Sequence, residues 1–326
     1  MTLEAIVDAI RTYPGVTRKR MINDVKGLLS TKGFSHVTAT EGEDAAAIEY
    51  GDNYILFSAD GIMQTLVESH PYYAGYFAVL VNVNDIAAMG GKALAMVDVL
   101  SISKDNRLCG QILHGISAAV KKFNVPIVGG HTHPDCNYNA IDISIMGTVP
   151  KSDIILSSTA EDDDDIVFVI DLDGFFPEGL KYAWDTTTRK EDSIVQAQMT
   201  AMTIIATKHL CHAAKDMSNP GSLGTLGMML ESSSKGATVD IEKIPIPKNV
   251  DLIQWLLAYQ GCGFVFACPP KNSAKIISIF EKVGCAGAVV GKIDNTMEFK
   301  LSLKGKTKVL FDFKKDMITG CCPKKK

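Results

Sequence analysis

The feature that most constrains the fold is the alternation of helix-like and strand-like apolar segments along the chain. "YILFSAD" (54–60) has the pattern of a buried strand, and "YYAGYFAVLVNVNDIAAM" (72–89) that of a long helix rich in small and apolar residues. "ALAMVDVLSIS" (93–103) indicates a strand again, and a helix over about 107–123 leads to "VPIVGG" and to the alternating strand "AIDISIMGTV" (140–149). This alternation predicts a mixed α/β protein.

The second half continues the pattern but closes in strands that look antiparallel. Helices are expected over 191–212 and 271–283 and near "VDLIQWLLA", and strands at "GFVFA", "AGAVVGKI", "EFKLSL" and "KVLFDF". Neither half gives a regular strand–helix–strand series, so an α+β type of α/β fold with mixed sheets is favoured over a Rossmann fold. The motifs GxGxxG and GxxxxGK[ST] do not occur, which removes two common nucleotide-binding loops.

The chain is long enough for two hydrophobic cores. Its 326 residues predict two domains, and the boundary is placed near 150–160, just before the acidic run "EDDDD". We therefore expect a helical extension over 1–36, an N-terminal domain over 37–152 and a C-terminal domain over 153–326. In the extension, Leu3, Ile6, Val7 and Ile10 recur at helical spacing, and Ile22, Val25, Leu28 and Leu29 repeat it.

Composition excludes several classes of function. A net charge of −4 lacks the basic excess that nucleic-acid binding needs. The first twenty residues have acids before bases and no uninterrupted apolar run, so neither a secretory signal nor a membrane span is expected, and we expect a cytoplasmic protein. The eight cysteines form no CxxC pair, which favours reduced buried thiols.

Three aspartates at the ends of apolar stretches are the first candidates for function. Asp44 ("GEDAAAI"), Asp60 ("SADGI") and Asp85 ("NVNDIAAMGG") each adjoin glycine or small residues that let another group approach. A lone aspartate in such a place usually caps a helix or a turn, but a carboxylate in an apolar setting must otherwise find a cation or donors. Three of them within ninety residues favour Mg²⁺, which is commonly shared between carboxylates and substrate phosphates, and this points to ATP.

At these motifs the sequence resembles a known superfamily. "GEDAAAI", "SADGI", "NVNDIAAMGGKAL", "VPIVGGHT…ISIMGTV", "KDMSNPGSLGTLGMMLE" and "GCGFVFA" occur in the order typical of the aminoimidazole ribonucleotide synthetase (PurM-like) superfamily, over about 38–300. Thiamine-monophosphate kinase, selenophosphate synthetase and a hydrogenase maturation protein belong to it. The sequence is most similar to the AIR synthase-related branch, whose methanogen marker proteins begin with a segment like "GVTRKR".

The resemblance implies a two-domain subunit that dimerises through a central β-barrel of N-terminal-domain strands, with ATP and Mg²⁺ in a cleft lined by both halves. Asp44, Asp60 and Asp85 fall on metal and phosphate positions, and Asp216 falls on the first acid of a phosphate-facing loop. The residues then expected to act on or contact phosphates are Asp216, Lys215 and His131 as catalytic residues, and Gly42, Gly90, Gly91, Gly129, Gly130, Asn84 and Asn219 as cofactor-binding residues.

Two departures from the family pattern each remove a negative charge. His131 stands where the thiamine-phosphate kinases have an aspartate, and Asn219 replaces a second acid of their "DxSDG" motif. Fewer or differently placed Mg²⁺ ions are therefore expected. A selenophosphate synthetase is excluded because its N-terminal reactive cysteine has no counterpart before Cys109.

The stretch "VGGHTHPDC" (128–136) leaves alternatives open. A strand followed by a tight glycine turn would bring Gly129, Gly130 and His131 to phosphate, whereas a structural loop or a transition-metal site needs no nucleotide. We expect His131 and His133 to point apart, which disfavours a shared metal ion. The glycines and Ser222 are expected to start a helix near Leu223 whose N-terminus suits an anion, and "GCCPKKK" is expected to be a disordered end.

The sequence thus predicts an enzyme that uses MgATP to phosphorylate or activate an oxygen of a small molecule, as a homodimer without nucleic-acid or membrane partners. One alternative is a nucleotide-binding maturation factor that has lost phosphoryl transfer. Another is a metal-dependent hydrolase built on "HTHPD".

Overall fold

A computed structural model describes residues 2–26, 33–39, 41–104, 106–259 and 261–322 of the chain. Its α-helices are α1 (Leu3–Thr12), α2 (Pro14–Thr17), α3 (Met21–Val25), α4 (Gln64–Ser69), α5 (Pro71–Ala88), α6 (Cys109–Phe123), α7 (Asp192–Thr207), α8 (Gly221–Ser233), α9 (Leu252–Leu256) and α10 (Pro270–Glu281). The strands are β1 (Val37–Ala39), β2 (Ala46–Tyr50), β3 (Asn53–Gly61), β4 (Lys92–Ser103), β5 (Ile127–Cys136), β6 (Ala140–Pro150), β7 (Asp165–Ile170), β8 (Ala213–Asp216), β9 (Gly236–Asp240), β10 (Gly263–Cys268), β11 (Ala286–Asp294), β12 (Glu298–Leu303) and β13 (Lys306–Asp312).

The strands form two mixed sheets, which confirms the predicted mixed α/β class. The first sheet has the order β1-β2-β3-β6-β4-β5, and its β4–β5 pair is parallel while the other pairs are antiparallel. The second has the order β13-β12-β9-β11-β7-β10-β8, with one parallel pair, β9–β12. Among the described residues the two sheets are separate, and neither closes into a barrel.

One face of the first sheet packs against α5 and α6. Leu56, Ile143 and Ile145 of the sheet are fully buried beside Phe77 and Ile86 of α5. Removing each such side chain from water contributes about 1.5–3 kcal/mol, so this layer fixes α5 across the sheet. Helix α5 is buried on nearly all sides, which explains its run of small and apolar residues with little polar face.

Helix α5 ends in a Schellman motif. The N–H of Gly90 donates to the Ala87 carbonyl over 2.8 Å, and the N–H of Gly91 donates to the Ile86 carbonyl over 3.0 Å. Gly90 has a φ of +76°, a backbone conformation that residues other than glycine rarely adopt. The glycine pair therefore ends the helix.

The second sheet is covered on both faces. Val167 and Val169 of β7 pack with Phe280 of α10 and Ile205 of α7 in one cluster, and the opposite face packs with α8, α9 and α1. Apolar side chains of α1 are buried in that second cluster: Leu3, Ile6, Val7 and Ile10. The N-terminal extension thus packs on the second sheet, although the strands of the first sheet follow it in the chain.

The second predicted helix of the extension is divided. Helix α2 and a 3-10 turn at Arg18–Arg20 precede the short helix α3, and the predicted helical residues Leu28 and Leu29 lie outside the described residues. Within the described part of the chain, no helix combines the length and apolarity that a membrane span requires. Cys262, Cys268, Cys285 and Cys321 are buried free thiols, as the scattered cysteine pattern predicts.

Candidate functional site

A cavity of about 810 Å³ lies where β3 and α5 face β8 of the second sheet. This volume is within the range typical of ligand sites, about 300–1,000 Å³. Four aspartates from four different elements line it: Asp44 from the segment before β2, Asp60 from β3, Asp85 from α5 and Asp216 from the end of β8. The fold therefore brings together the four acids that the sequence motifs singled out.

Three of these acids are close enough to share one ion. Carboxylate oxygens of Asp44, Asp85 and Asp216, one from each residue, all lie within 4.8 Å of one another. Asp60 is accessible to solvent on the cavity wall. The Ser58 hydroxyl donates to Asp85 over 2.7 Å and so fixes one of its oxygens.

Lys215 ties the acid cluster to the second sheet. Its side chain is only 7% exposed and forms an ion pair with Asp44, and its ammonium group lies 3.4 Å from the Gly42 carbonyl. The Gly42 carbonyl also accepts a hydrogen bond of 2.9 Å from the Ser157 hydroxyl, and the Ser157 N–H donates to Glu43 over 2.5 Å. The segment from Gly42 to Asp44 is thus held in place by residues that follow the first sheet.

The charges of this cluster perturb one another. Burial raises the pKa of Asp216 to about 8, and the charge of Asp44 acts in the same direction. Burial also raises the pKa of Asp85 well above its ordinary value, and the neighbouring charges of Asp60, Asp216 and Asp44 raise it further. Burial alone would lower the pKa of Lys215, but Asp44 and Asp216 raise it above its ordinary value. The positive charge of Lys215 therefore does not balance the negative charges of Asp44, Asp85 and Asp216.

Unsatisfied oxygens at the same place fit a hard cation. Among the described residues, Asp44 Oδ2 and Asn84 Oδ1 are buried without a hydrogen-bond partner. Asn84 donates through Nδ2 to the Gly261 carbonyl over 3.1 Å, so its oxygen remains for another group. Buried polar atoms without partners are costly, and carboxylate and amide oxygens are ligands that Mg²⁺ accepts.

The remaining walls include residues that the sequence reasoning did not single out. Arg18, Lys19 and Lys26 of the N-terminal extension line the cavity, as do Thr319 and Cys321 near the C-terminus. The basic run "TRKR" is a signal for Arg18 and Lys19, but no local pattern places these bases at the aspartate-lined cavity.

The C-terminal segment is fixed by a buried acid. Glu231, 2% exposed, accepts hydrogen bonds from the N–H groups of Ile318, Thr319 and Gly320 and from the Thr319 hydroxyl, over 2.6–3.1 Å. Lys26 donates to the Gly320 carbonyl. The prediction of a disordered end is therefore wrong up to the buried Cys321, and 323–326 lie outside the described residues.

Asn219 lies at the cavity as predicted, but the start of α8 and the glycine pairs do not line it. Asn219 lines the cavity together with Ser218, and α8 begins at Gly221 rather than near Leu223. Gly90 and Gly91 instead end α5 and pack against Ala206 and Leu56, outside the cavity lining.

The expected turn in "VGGHTHPDC" is a continuous strand, β5. Gly129, Gly130 and His131 lie on it, paired with β4 and away from the cavity lining of their own chain. A Cβ atom on Gly130 would collide with the carboxyl and carbonyl oxygens of Asp98, so this glycine permits close strand pairing and does not make a turn.

The expectation that the two histidines point apart is also wrong. Residues two apart in a strand share a face, and the rings of His131 and His133 lie 4.5 Å apart between centroids, edge to face. Among the described residues, the group of three possible ligands close enough for one ion is the aspartate cluster, and it does not include these histidines.

Comparison with known proteins agrees with this architecture. The family model described as "AIR synthase related protein, N-terminal domain" matches residues 42–149, and the corresponding C-terminal domain model matches residues 173–304. An uncharacterized protein of Methanocaldococcus jannaschii is 43% identical over 98% of this chain and 100% of its own length. A phosphoribosylformylglycinamidine cyclo-ligase of Methanococcus vannielii is 24% identical over 87% of this chain and 91% of its own length.

Solved structures share the fold at low sequence identity. T. maritima PurL complexed with ADP has a TM-score of 0.72 and 18% identity over 91% of this chain, which spans 49% of that structure's length. AaThiL complexed with AMPPCP and TMP has a TM-score of 0.66 and 17% identity over 88% of this chain and 96% of its own. These structures show the fold alone. The two family models, with the long match in Methanocaldococcus, show that the chain belongs to the AIR synthase related protein family.

Proposed function

We propose that the chain binds MgATP in the aspartate-lined cavity and uses it to phosphorylate or otherwise activate an oxygen of a small molecule. The observation that carries the proposal is the cluster of Asp44, Asp85 and Asp216, whose oxygens lie within 4.8 Å of one another at the wall of a cavity of about 810 Å³. Relatives of the same fold that were solved with ADP, ATP or AMPPCP support a nucleotide as the ligand.

The residues present suit such a reaction. Mg²⁺ held by Asp44, Asp85 and Asp216 would neutralise the charge that develops on phosphoryl oxygens. Lys215 keeps its positive charge at the acid cluster because Asp44 holds it there. Phosphoryl transfer needs positioning and charge neutralisation more than covalent help from the protein, and a buried, rigidly held cluster supplies both.

We also propose that the chain acts as a homodimer, through the face of the first sheet that α5 and α6 leave uncovered. Phe57, Val97, Val99 and Met146 are each 40–49% exposed on paired strands of this face. Paired residues in neighbouring strands share a face, so these side chains form one apolar surface, which a second copy would cover. Val99 pairs with His131, so a phosphate contact by His131 would have to be made in the partner's cavity.

Calorimetric titration of ATP, with and without Mg²⁺, tests the proposal. We expect magnesium-dependent binding to the wild type and to Asp8→Asn, an exposed carboxylate of α1, and loss of that binding in Asp85→Asn. Absence of ATP binding to the wild type under both conditions would overturn the proposal.

The maturation-factor alternative differs only in turnover. A factor that retains the fold would bind MgATP in the same titration but release no ADP or phosphate with any small molecule offered. ADP release that depends on an added hydroxyl, carboxylate or amide compound and disappears in Asp85→Asn would identify an enzyme.

A further inference from the structure

The N-terminal extension is anchored on the second sheet and reaches the cavity. Helix α1 buries its apolar face there, and Arg11 makes two hydrogen bonds of 2.9 Å with the Asp316 carboxylate and one of 2.6 Å with the Leu310 carbonyl. This anchoring lies outside the family models, whose first match begins at residue 42. Residues 2–26 are therefore an anchored part of this chain that the two family-model matches do not include.

From this anchor the chain is directed to the cavity by a close contact. A Cβ atom on Gly15 would collide with the side-chain and main-chain oxygens of Asn219, so glycine lets the extension lie against the loop before α8. Val16 is buried at the same place, 3% exposed. The following turn, Arg18–Arg20, brings Arg18 and Lys19 to the cavity wall.

Lys19 differs from Lys215 in what holds it. Lys215 is engaged by Asp44, whereas within the described ranges of the chain the ammonium group of Lys19 forms no ion pair or hydrogen bond. Burial lowers the pKa of Lys19, while the charges of Asp60, Asp216 and Asp85 raise it. A partly buried ammonium group near acids but not paired with one is placed for an anionic ligand, since phosphate oxygens would give it the acceptors that it lacks.

We propose that Lys19 contacts the terminal phosphate of the bound nucleotide, so that the N-terminal extension forms part of the active site. This inference rests on the proposed binding of MgATP and assigns one wall of that site. Lys19 then supplies the phosphoryl group with a positive charge in addition to that of the cation held by the aspartates. The charge that develops on the transferred group is neutralised by both.

Titration of AMPPCP, ADP and AMP in the presence of Mg²⁺ tests the contact. For Lys19→Ala we expect AMPPCP to bind about 10-fold to 100-fold more weakly, the value of a charge-assisted hydrogen bond, with AMP affinity changed by less than about twofold. Lys19→Arg should retain most of the AMPPCP affinity. Arg20→Ala is the matched control, because Arg20 is an exposed base in the same turn that does not line the cavity, and it should bind like the wild type.

The outcomes separate the two proposals. Equal AMPPCP affinity in the wild type and Lys19→Ala, or an equal loss for AMPPCP and AMP, would overturn the role of Lys19 while the nucleotide site stands. Absence of nucleotide binding to the wild type would overturn the proposed function and this inference with it. Thermal unfolding of Lys19→Ala within about 2 °C of the wild type would show that the fold is retained, and rescue by Lys19→Arg tests the contact independently of stability.

Discussion

Replacing Asp85 by asparagine should stabilise the protein in the absence of divalent cations. Asp85 lies in a buried cluster with Asp44 and Asp216, and Lys215 pairs with Asp44. Asparagine has nearly the same shape, and its carbonyl oxygen can still accept the hydrogen bond that Ser58 donates. The substitution therefore removes a repelling charge while it keeps the packing.

The size of the effect follows from the geometry. Two unit charges 4.8 Å apart, the largest separation in the cluster, repel by about 3.5 kcal/mol at an effective dielectric constant of about 20. Partial protonation of the cluster reduces this repulsion, so we expect a gain of about 1–3 kcal/mol and, for a chain of 326 residues, a rise in Tm of roughly 1–5 °C. In the wild type, saturating Mg²⁺ at about 100 times its Kd should add about 2.7 kcal/mol, and Asp85→Asn should lose most of that increment.

The pH dependence gives a second readout of the same change. The pKa of Asp85 is raised in the folded protein, so its carboxyl group destabilises the fold at neutral pH, and the cost falls as pH falls toward about 4, where the unfolded chain also binds the proton. The stability advantage of Asp85→Asn should therefore be largest near pH 7 and shrink toward pH 4.

Thermal and urea unfolding in EDTA and in Mg²⁺ would measure these differences, with Asp8→Asn on exposed α1 as the control. A metal-free Asp85→Asn protein that is less stable than the wild type, or one that Mg²⁺ stabilises as much as the wild type, would refute the reasoning.

Three further substitutions test other parts of the structure. Arg11→Ala should lower the free energy of unfolding by about 1 kcal/mol at pH 7. Because Arg11 lowers the pKa of Asp316, this loss should fade as pH drops below about 4. Urea unfolding at several pH values would measure it. Glu231→Ala should lower the free energy of unfolding by on the order of 3 kcal/mol, because the N–H groups that donate to Glu231 lose their acceptor. Amide hydrogen exchange over 318–320 should become faster, and unchanged exchange would contradict these contacts. Val97→Glu should retain the circular dichroism spectrum of the folded protein yet shift the mass in solution from dimer to monomer, measured by light scattering. A dimer that persists would exclude this face.

Much of the fold could be predicted from local patterns, because buried elements carry regular spacing. The long helix α5 and the strands β3, β4 and β6 occur within one or two residues of their predicted positions. The sequence does not predict the full length of β5, because this strand is exposed over nearly all its length and shows no alternation of apolar and polar residues. Its glycines suggested a turn, whereas Gly130 is required by the approach of Asp98 from the neighbouring strand.

The candidate site was predicted in part for a similar reason. Asp44, Asp60, Asp85 and Asp216 interrupt apolar segments, which marks them in the sequence, and the fold brings them to one cavity. Lys19 and Cys321 reach that cavity through contacts between segments far apart in the chain. No local periodicity reports that α1 packs on the second sheet or that Glu231 holds the C-terminal segment.

The central claim is that Asp44, Asp85 and Asp216 hold the cation of a bound nucleotide. Crystals of the wild type grown with Mn²⁺ and AMPPCP would test it most directly, since anomalous scattering locates manganese, which accepts the same oxygen ligands as magnesium. The account predicts an anomalous peak about 2.0–2.3 Å from oxygens of these aspartates, with the phosphates of AMPPCP beside it. A nucleotide bound elsewhere, or manganese on His131 and His133 with none at the aspartates, would contradict it.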